Sequence, residues 1–503
     1  MCPSAYLDDL GTRAQIAPDG LLAVSPGALH RLLITQTCLA AQVLLICLVL
    51  SVPQDFLKAH VHLFYLAHYC LFLPFFFMAR DRCAFLFSPS FLIISYISIS
   101  FIIGGFAFAN GYVLFPAQHR AFLRWEHVGS ATGYFMVCNL CAALAYYLAR
   151  CGRTDQPILR MGGSLRKYAP QLVVGGVLLG VFSVVSIGLT FLGGSGDFSI
   201  VPRTFGFLAV TLVLVKSRWR FRFVAYMGML LLFAASEFGN RRVVLLLGLS
   251  LLFMEAAHLV SLRLSFRRIL TCVAVVVLAV VLQMSMTVAR GLSGFEGSYW
   301  HTFSQLDRFV RLENATAYSL KTTEGPSTFF HSNNAFHYVV ADPALLSYGS
   351  TLAKVFFVPI PRSIWPNKPN SMGYLYTRYW NREFFNRGGC AGVNLYAEFF
   401  WNFQALGLLC VLPLMFLLNR VFFFYLRRIR EDDAWRFLYI GVGYNALLMY
   451  ARGHGLDGIA VQVVFGVIVQ WLLFEPLVVL LRVKASHVTI CMREEARALR
   501  LCR

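Results

Sequence analysis

The sequence predicts an all-α, polytopic integral membrane protein of about twelve transmembrane helices with one large external loop. Three observations predict it. Hydrophobic residues make up 58% of the chain and charged residues only 14%, where a soluble domain carries about 25%. Mean hydropathy is +0.64, and apolar runs of about 20 residues, the length that crosses a bilayer as a helix, recur along the chain. Lys and Arg gather in the short gaps between those runs, on alternate sides, which is how orientation signals are placed in a membrane protein.

The elements follow in order. Residues 1–30 are polar and irregular, without the apolar core and cleavage site of a secretory signal, so the first helix is expected to act as an uncleaved signal anchor. Residues 31–288 form a membrane domain of about nine helices. Their spans are expected near 32–51, 61–79, 90–109, 128–149, 170–192, 199–216, 223–238, 243–262 and 269–288. Residues 289–393 form a large periplasmic loop, too polar to span and too rich in Trp, Tyr and Asn to be disordered. Residues 394–481 return to the membrane with about three helices, near 396–425, 435–451 and 458–481. Residues 482–503 form a basic cytoplasmic tail. Within the loop, Ala344 to Pro361 is apolar but holds Lys354, Pro359 and Pro361, and is expected to be an interfacial or re-entrant helix.

Charge supports this order. With the N-terminus inside, the inner gaps hold Arg80 and Arg82, then Arg150 to Lys167, Lys216 to Arg222, Arg263 to Arg268, Arg427 to Arg436 and the tail. Both termini are therefore expected in the cytoplasm. The net charge of +20 belongs to these gaps and not to one basic patch with interleaved aromatics, which argues against nucleic-acid binding. Most of the 13 Cys residues lie in apolar runs, where they act as small hydrophobes. No Cys/His pattern suggests a metal, and no cofactor motif is seen.

Chemistry-bearing residues collect on the external side, where topology does not call for them. Arg241 and Arg242 lie in a short turn, Arg290 follows the ninth span, and Arg362 and Lys368 sit in Pro361-Arg-Ser-Ile-Trp365-Pro-Asn-Lys368-Pro369. Arg378 and Gly389 are the ends of an Arg-x10-Gly spacing, and Arg452 and His454 occupy the last external turn. Guanidinium groups make forked, charge-assisted hydrogen bonds to phosphate, so converging arginines suit a lipid pyrophosphate leaving group without a metal. The bland alternative is a set of interfacial arginines reaching for headgroups. Glu398 begins the helix after the loop. It is either a cap favoured by the helix dipole or a general base toward a sugar hydroxyl. Trp300, Trp365, Trp380, Tyr374, Tyr376 and Tyr379 offer ring faces to sugars, or anchor the interface. Asn314-Ala-Thr316 matches a glycosylation sequon, a pattern short enough to arise by chance.

Glu237 to Arg242, Pro361 to Pro369, and Gly392 to Gly407 with Glu398 and Asn402 resemble the bacterial oligosaccharide repeat-unit polymerases, the Wzy-type O-antigen polymerases. The resemblance covers mainly residues 235–460. That family is described with Arg-x10-Gly in two external loops, and here the spacing occurs once, from Arg378 to Gly389. The resemblance implies glycosyl transfer at the periplasmic face of a bacterial inner membrane. An undecaprenyl-pyrophosphate-linked glycan would be the donor and a lipid-linked repeat unit the acceptor. It also implies a flippase and a chain-length regulator as partners. Carried over, Glu398, Arg362 and Arg290 would be catalytic. Arg241, Arg242, Lys368, Arg378, Arg452, His454 and Trp365 would bind pyrophosphate or glycan.

Other readings compete. An O-antigen ligase would share the donor and differ in acceptor. A lipid-linked glycan flippase or transporter would place polar groups near the bilayer midplane on discontinuous helices. A membrane acyltransferase would need a helix-embedded catalytic His, and none stands out in the sequence.

Overall fold

The computed structural model describes residues 26–72, 87–111, 123–150 and 324–431, apart from 73–86 and short breaks at 358–359, 361–363 and 387–388, with a few isolated positions besides. The chain divides into two compact units. The first comprises Met1–Leu159, Val260–Arg427 and Ala446–Ala460, and the second Arg160–Leu259, Arg428–Asn445 and Val461–Arg503. All packing below belongs to the first. Expected spans between 170 and 288 and beyond 432 lie outside the described residues.

Apart from a two-residue pairing of Gln15–Ile16 with Leu22–Ala23, the described residues are helical. Four stretches are long and apolar enough to cross a membrane: Leu33–Ser51, Pro89–Ala109, Trp125–Arg150 and Leu395–Arg427. Helix α1 is Pro26–Ser51 and α2 is Gln54–Cys70. The second expected span began at 61, but Pro53 with φ −56° starts the helix earlier and Asp55 sits in its first turn. Helix α3, Pro89–Ala109, is capped by Ser88, whose side chain accepts from Phe91 N, with Pro89 in the first turn. Helix α4 is Val128–Arg150.

Contacts along the helices fix their directions. Tyr65 meets Phe101 and Tyr69 meets Ser95, so α2 and α3 run antiparallel. Leu50 lies against Gly133, while Gln42 reaches the His68 carbonyl and His68 reaches Asn139, further along α4, so α1 and α4 are antiparallel too. The alternation is the one expected from the sequence, but α2, with 17 residues, is not among the four stretches long and apolar enough to cross.

The loop behaves otherwise. Helix α5, Glu324–Ala341, was expected within an external loop but is built into the helical unit. Gly325 lies against the Ser100 backbone, and Gly104 against Phe329. Phe108 stacks on Phe330 at 5.7 Å, so α5 runs parallel to the second half of α3. Glycines allow that close approach. Thr328, His331, Ser332, Asn333 and Asn334 are all buried, too polar a set for a lipid-facing span. Beyond it lie α6, Ser350–Phe357, α7, Met372–Trp380, and α8, Arg382–Asn386. Helix α6 is eight residues long, too short to cross a bilayer. It holds Phe356 81% exposed, consistent with the expected non-spanning segment.

The expected single span 396–425 is two helices, α9, Leu395–Phe403, and α10, Leu408–Glu431. Gln404 between them has φ 50° and ψ −134°, and a Cβ on Gly407 would stand 2.7 Å from the Phe399 carbonyl oxygen. A continuous helix separates residues eight apart by about 12 Å along its axis, so the chain turns sharply here. The 24 residues of α10 measure about 36 Å at 1.5 Å each, enough to cross unaided. Tyr134 against Gly407, and Phe423 against Tyr146, set α10 parallel to α4. Asn419 ties α10 to α3 by donating to Ser90 Oγ at 2.7 Å.

Candidate active site

Helix α9 is buried from Leu395 to Asn402, and polar anchors fix it at both ends. Asn394 caps it by accepting from Ala397 N at 2.8 Å, while its own N–H donates to Ser332 Oγ of α5 at 3.1 Å. The Tyr396 hydroxyl donates to Asn139 Oδ1 of α4 at 3.0 Å. Asn139 Nδ2 lies 3.3 Å from both His68 Nε2 and Ser98 Oγ, and Gln42 Nε2 donates to the His68 carbonyl at 3.0 Å. This fully buried node joins α1, α2, α3, α4 and α9. In a helical bundle with apolar walls, few other groups can satisfy such side chains, so the node sets the position of α9.

The next turn of α9 presents Glu398, only 2% exposed. The Thr351 hydroxyl donates to Glu398 Oε1 at 3.2 Å. Asn402 Nδ2 donates in turn to Thr351 Oγ1 at 2.7 Å and to the Glu398 carbonyl at 2.8 Å. Its Oδ1 accepts from Gly349 N at 2.9 Å. Trp401 Nε1 donates to Ser347 Oγ at 3.0 Å. Residues 347–351 are thereby docked on α9, through a bend in which Tyr348 has φ 44° and Gly349 φ 83°. Asn402, Thr351 and Glu398 form a relay that orients one carboxylate oxygen. Such a carboxylate can accept a proton or hold a cation.

The other candidate residues fall in different places. Lys368 is buried, and its Nζ donates to the Ile360 carbonyl at 3.0 Å, bracing its own proline-rich segment. Trp365 is half-buried against Phe357, ring centroids 5.0 Å apart. Arg378 is exposed on α7, one turn from exposed Tyr374. Arg241, Arg242, Arg290, Arg362, Arg452 and His454 lie outside the described residues. The expectation that Tyr376 and Trp380 face a sugar gives way to a packing role. Tyr376 is fully buried and stacked on Trp380 at 6.0 Å, and Trp380 lies 4.6 Å from the His331 ring. Tyr374 and Tyr379 keep exposed rings.

His331 is the residue that sequence reasoning missed. Its Nδ1 lies 3.0 Å from the Tyr376 hydroxyl, and burial pushes the imidazole down to about 3, so it is neutral. Burial pushes the Tyr376 phenol well above its usual range. The available signal was Phe-Phe-His-Ser-Asn-Asn-Ala-Phe-His over 329–337, in which Phe329, Phe336 and their neighbours bracket four polar residues at helical spacing. Thr351 carried no signal, because its role depends on a contact 47 residues away. No known protein family, curated protein or solved structure matches the chain.

Proposed function

We propose that the protein polymerises undecaprenyl-pyrophosphate-linked oligosaccharide repeat units into a surface polysaccharide, at the periplasmic face of a bacterial inner membrane. In the reaction, an acceptor hydroxyl attacks the anomeric carbon of the donor glycan, and the bond from that carbon to pyrophosphate breaks. Glu398 takes the hydroxyl proton, and Arg362 and Arg290, with Arg452, neutralise the departing pyrophosphate. Arg378, His454 and Trp365 serve the glycan and the outer phosphate. The observation that carries this reading is Glu398 itself. The carboxylate lies where the loop meets the last described span, held in one orientation by Thr351 and Asn402. A purely capping glutamate would have no need of that relay.

The test is glycan banding on a gel in a strain that lacks the native gene and carries Glu398→Gln. The expected outcome is collapse of the ladder to core plus one repeat unit, with protein present in the membrane at the native level. An unchanged ladder overturns the role of Glu398. Long polymer stranded on the lipid carrier would assign the protein as a ligase instead.

One observation favours a second reading, a flippase for lipid-linked glycans. The break at Gln404 makes α9 and α10 a discontinuous helix, and α9 carries Tyr396 of the buried polar node, an arrangement that transporters use around a substrate. A null strain with no periplasmic glycan at all would select that reading over the polymerase.

A further inference from the structure

A second cluster lies at the start of α4. The 3-10 turn Trp125–His127 leads into α4, and α5 passes alongside. Arg124 N donates to Asn334 Oδ1 of α5 at 3.1 Å, which fixes the approach. One turn further along α5, His337 Nδ1 comes to 3.7 Å from Glu126 Oε2. The His127 and His337 rings stand 5.1 Å apart between centroids. One ligand atom from each of Glu126, His127 and His337 falls within 4.8 Å of the others.

The independent observation is the state of His337. The residue is 9% exposed, and its Nδ1 is buried without a hydrogen-bond partner. At 3.7 Å the Glu126 oxygen is too far to be one. A buried imidazole nitrogen aimed at a carboxylate and a second imidazole, and bonded to neither, is placed as a metal ligand is placed.

We propose that Glu126, His127 and His337 bind a divalent transition-metal ion. Two imidazoles and one carboxylate suit Zn²⁺, Co²⁺ or Ni²⁺ rather than Mg²⁺ or Ca²⁺, which take oxygen donors. Tetrahedral ligands at 2.0–2.1 Å from zinc lie about 3.3 Å from one another, so the Glu126–His337 separation of 3.7 Å needs to close by a few tenths of an ångström, and the wider separations, at most 4.8 Å, by up to about 1.5 Å. Three protein ligands leave one position open. That position would take water or an anionic oxygen. The ion would clamp α5 to the start of α4. This inference is independent of the polymerase reading.

The test uses the full-length protein in detergent, stripped of metal, then loaded with Zn²⁺ and desalted before the bound zinc is measured. The 13 cysteines can hold zinc elsewhere, so the comparison is with His337→Gln, His127→Gln and Glu126→Gln. The wild type is expected to retain one equivalent more than either histidine variant, and Glu126→Gln to bind more weakly than the wild type. Loading with Co²⁺ should give a spectrum of nitrogen and oxygen ligation that the histidine variants lose. Equal zinc in the wild type and both histidine variants overturns the site, as does a Co²⁺ spectrum of thiolate ligation alone. Should His337→Gln fail to fold, the more exposed His127 and Glu126 variants decide the matter.

Discussion

The Asn402 amide donates twice and accepts once, linking Gly349, Thr351 and the Glu398 carbonyl within a buried pocket. Asn402→Ala would orphan the Gly349 N–H and loosen Thr351, so a loss of about 2–3 kcal/mol is expected, read as a lower thermal midpoint in detergent. Glu398→Gln keeps the shape and one acceptor oxygen, and so should leave that midpoint nearly unchanged while cutting polymerisation about 10²–10⁴-fold. The two variants thus separate support from chemistry. His331 supplies a pH dependence. Its folded value of about 3 lies below the ordinary 6.5, so between those values the unfolded chain binds a proton that the folded chain does not. Its contribution is complete above pH 6.5 and is lost on acidification, by about 1.4 kcal/mol per pH unit. Thermal midpoints at pH 7 and pH 5 should differ less in His331→Gln than in the wild type. An undiminished difference would assign the acid sensitivity to other groups.

Helix α5 depends on glycine at its crossing with α3. A methyl on Gly104 would overlap the Phe329 side chain, and Gly325 already sits 3.2 Å, from where its own Cβ would be, to the Ser100 carbonyl oxygen. Gly104→Ala is therefore expected to cost about 1–3 kcal/mol by overpacking, and Gly104→Leu to displace α5, both measurable as loss of monodisperse protein on size exclusion. At the α9–α10 turn the strain runs the other way. Gln404 has φ 50°, a conformation that glycine adopts without Cβ strain. Gln404→Gly should raise the thermal midpoint, by about 1 kcal/mol in free energy. These two elements also mark the limit of what hydropathy reveals. Spans α1, α3 and α4 could be read from apolar length, because isolated buried polar residues such as Gln42, Ser98 and Asn139 do not interrupt their apolar runs. The entry of α5 into the unit could not, since its burial is satisfied by hydrogen bonds such as His331–Tyr376 that composition does not encode. The break at Gln404 was hidden for a related reason, as Gln-Ala-Leu-Gly is apolar enough to continue a span.

At the scale of the first unit, the alternating helices and the buried node put Glu398 in a defined relation to the described spans. The sequence argument for an external loop rests on Arg and Lys counts in the gaps. An independent marker exists in Cys390, an exposed thiol in the segment between α8 and α9. The other described cysteines lie on α1 to α4 or on α10, so a variant retaining only Cys390 reports on the loop alone. A membrane-impermeant maleimide applied to intact spheroplasts should label that variant before permeabilisation and to the same extent afterwards. Labelling only after permeabilisation would put the loop, and with it Glu398, on the cytoplasmic side. The periplasmic polymerase would then be excluded at once, because its lipid-linked substrates are delivered to the opposite face. The metal site at His337 would survive that result, since its ligands are set by packing between α4 and α5 and not by the direction in which the bundle is inserted.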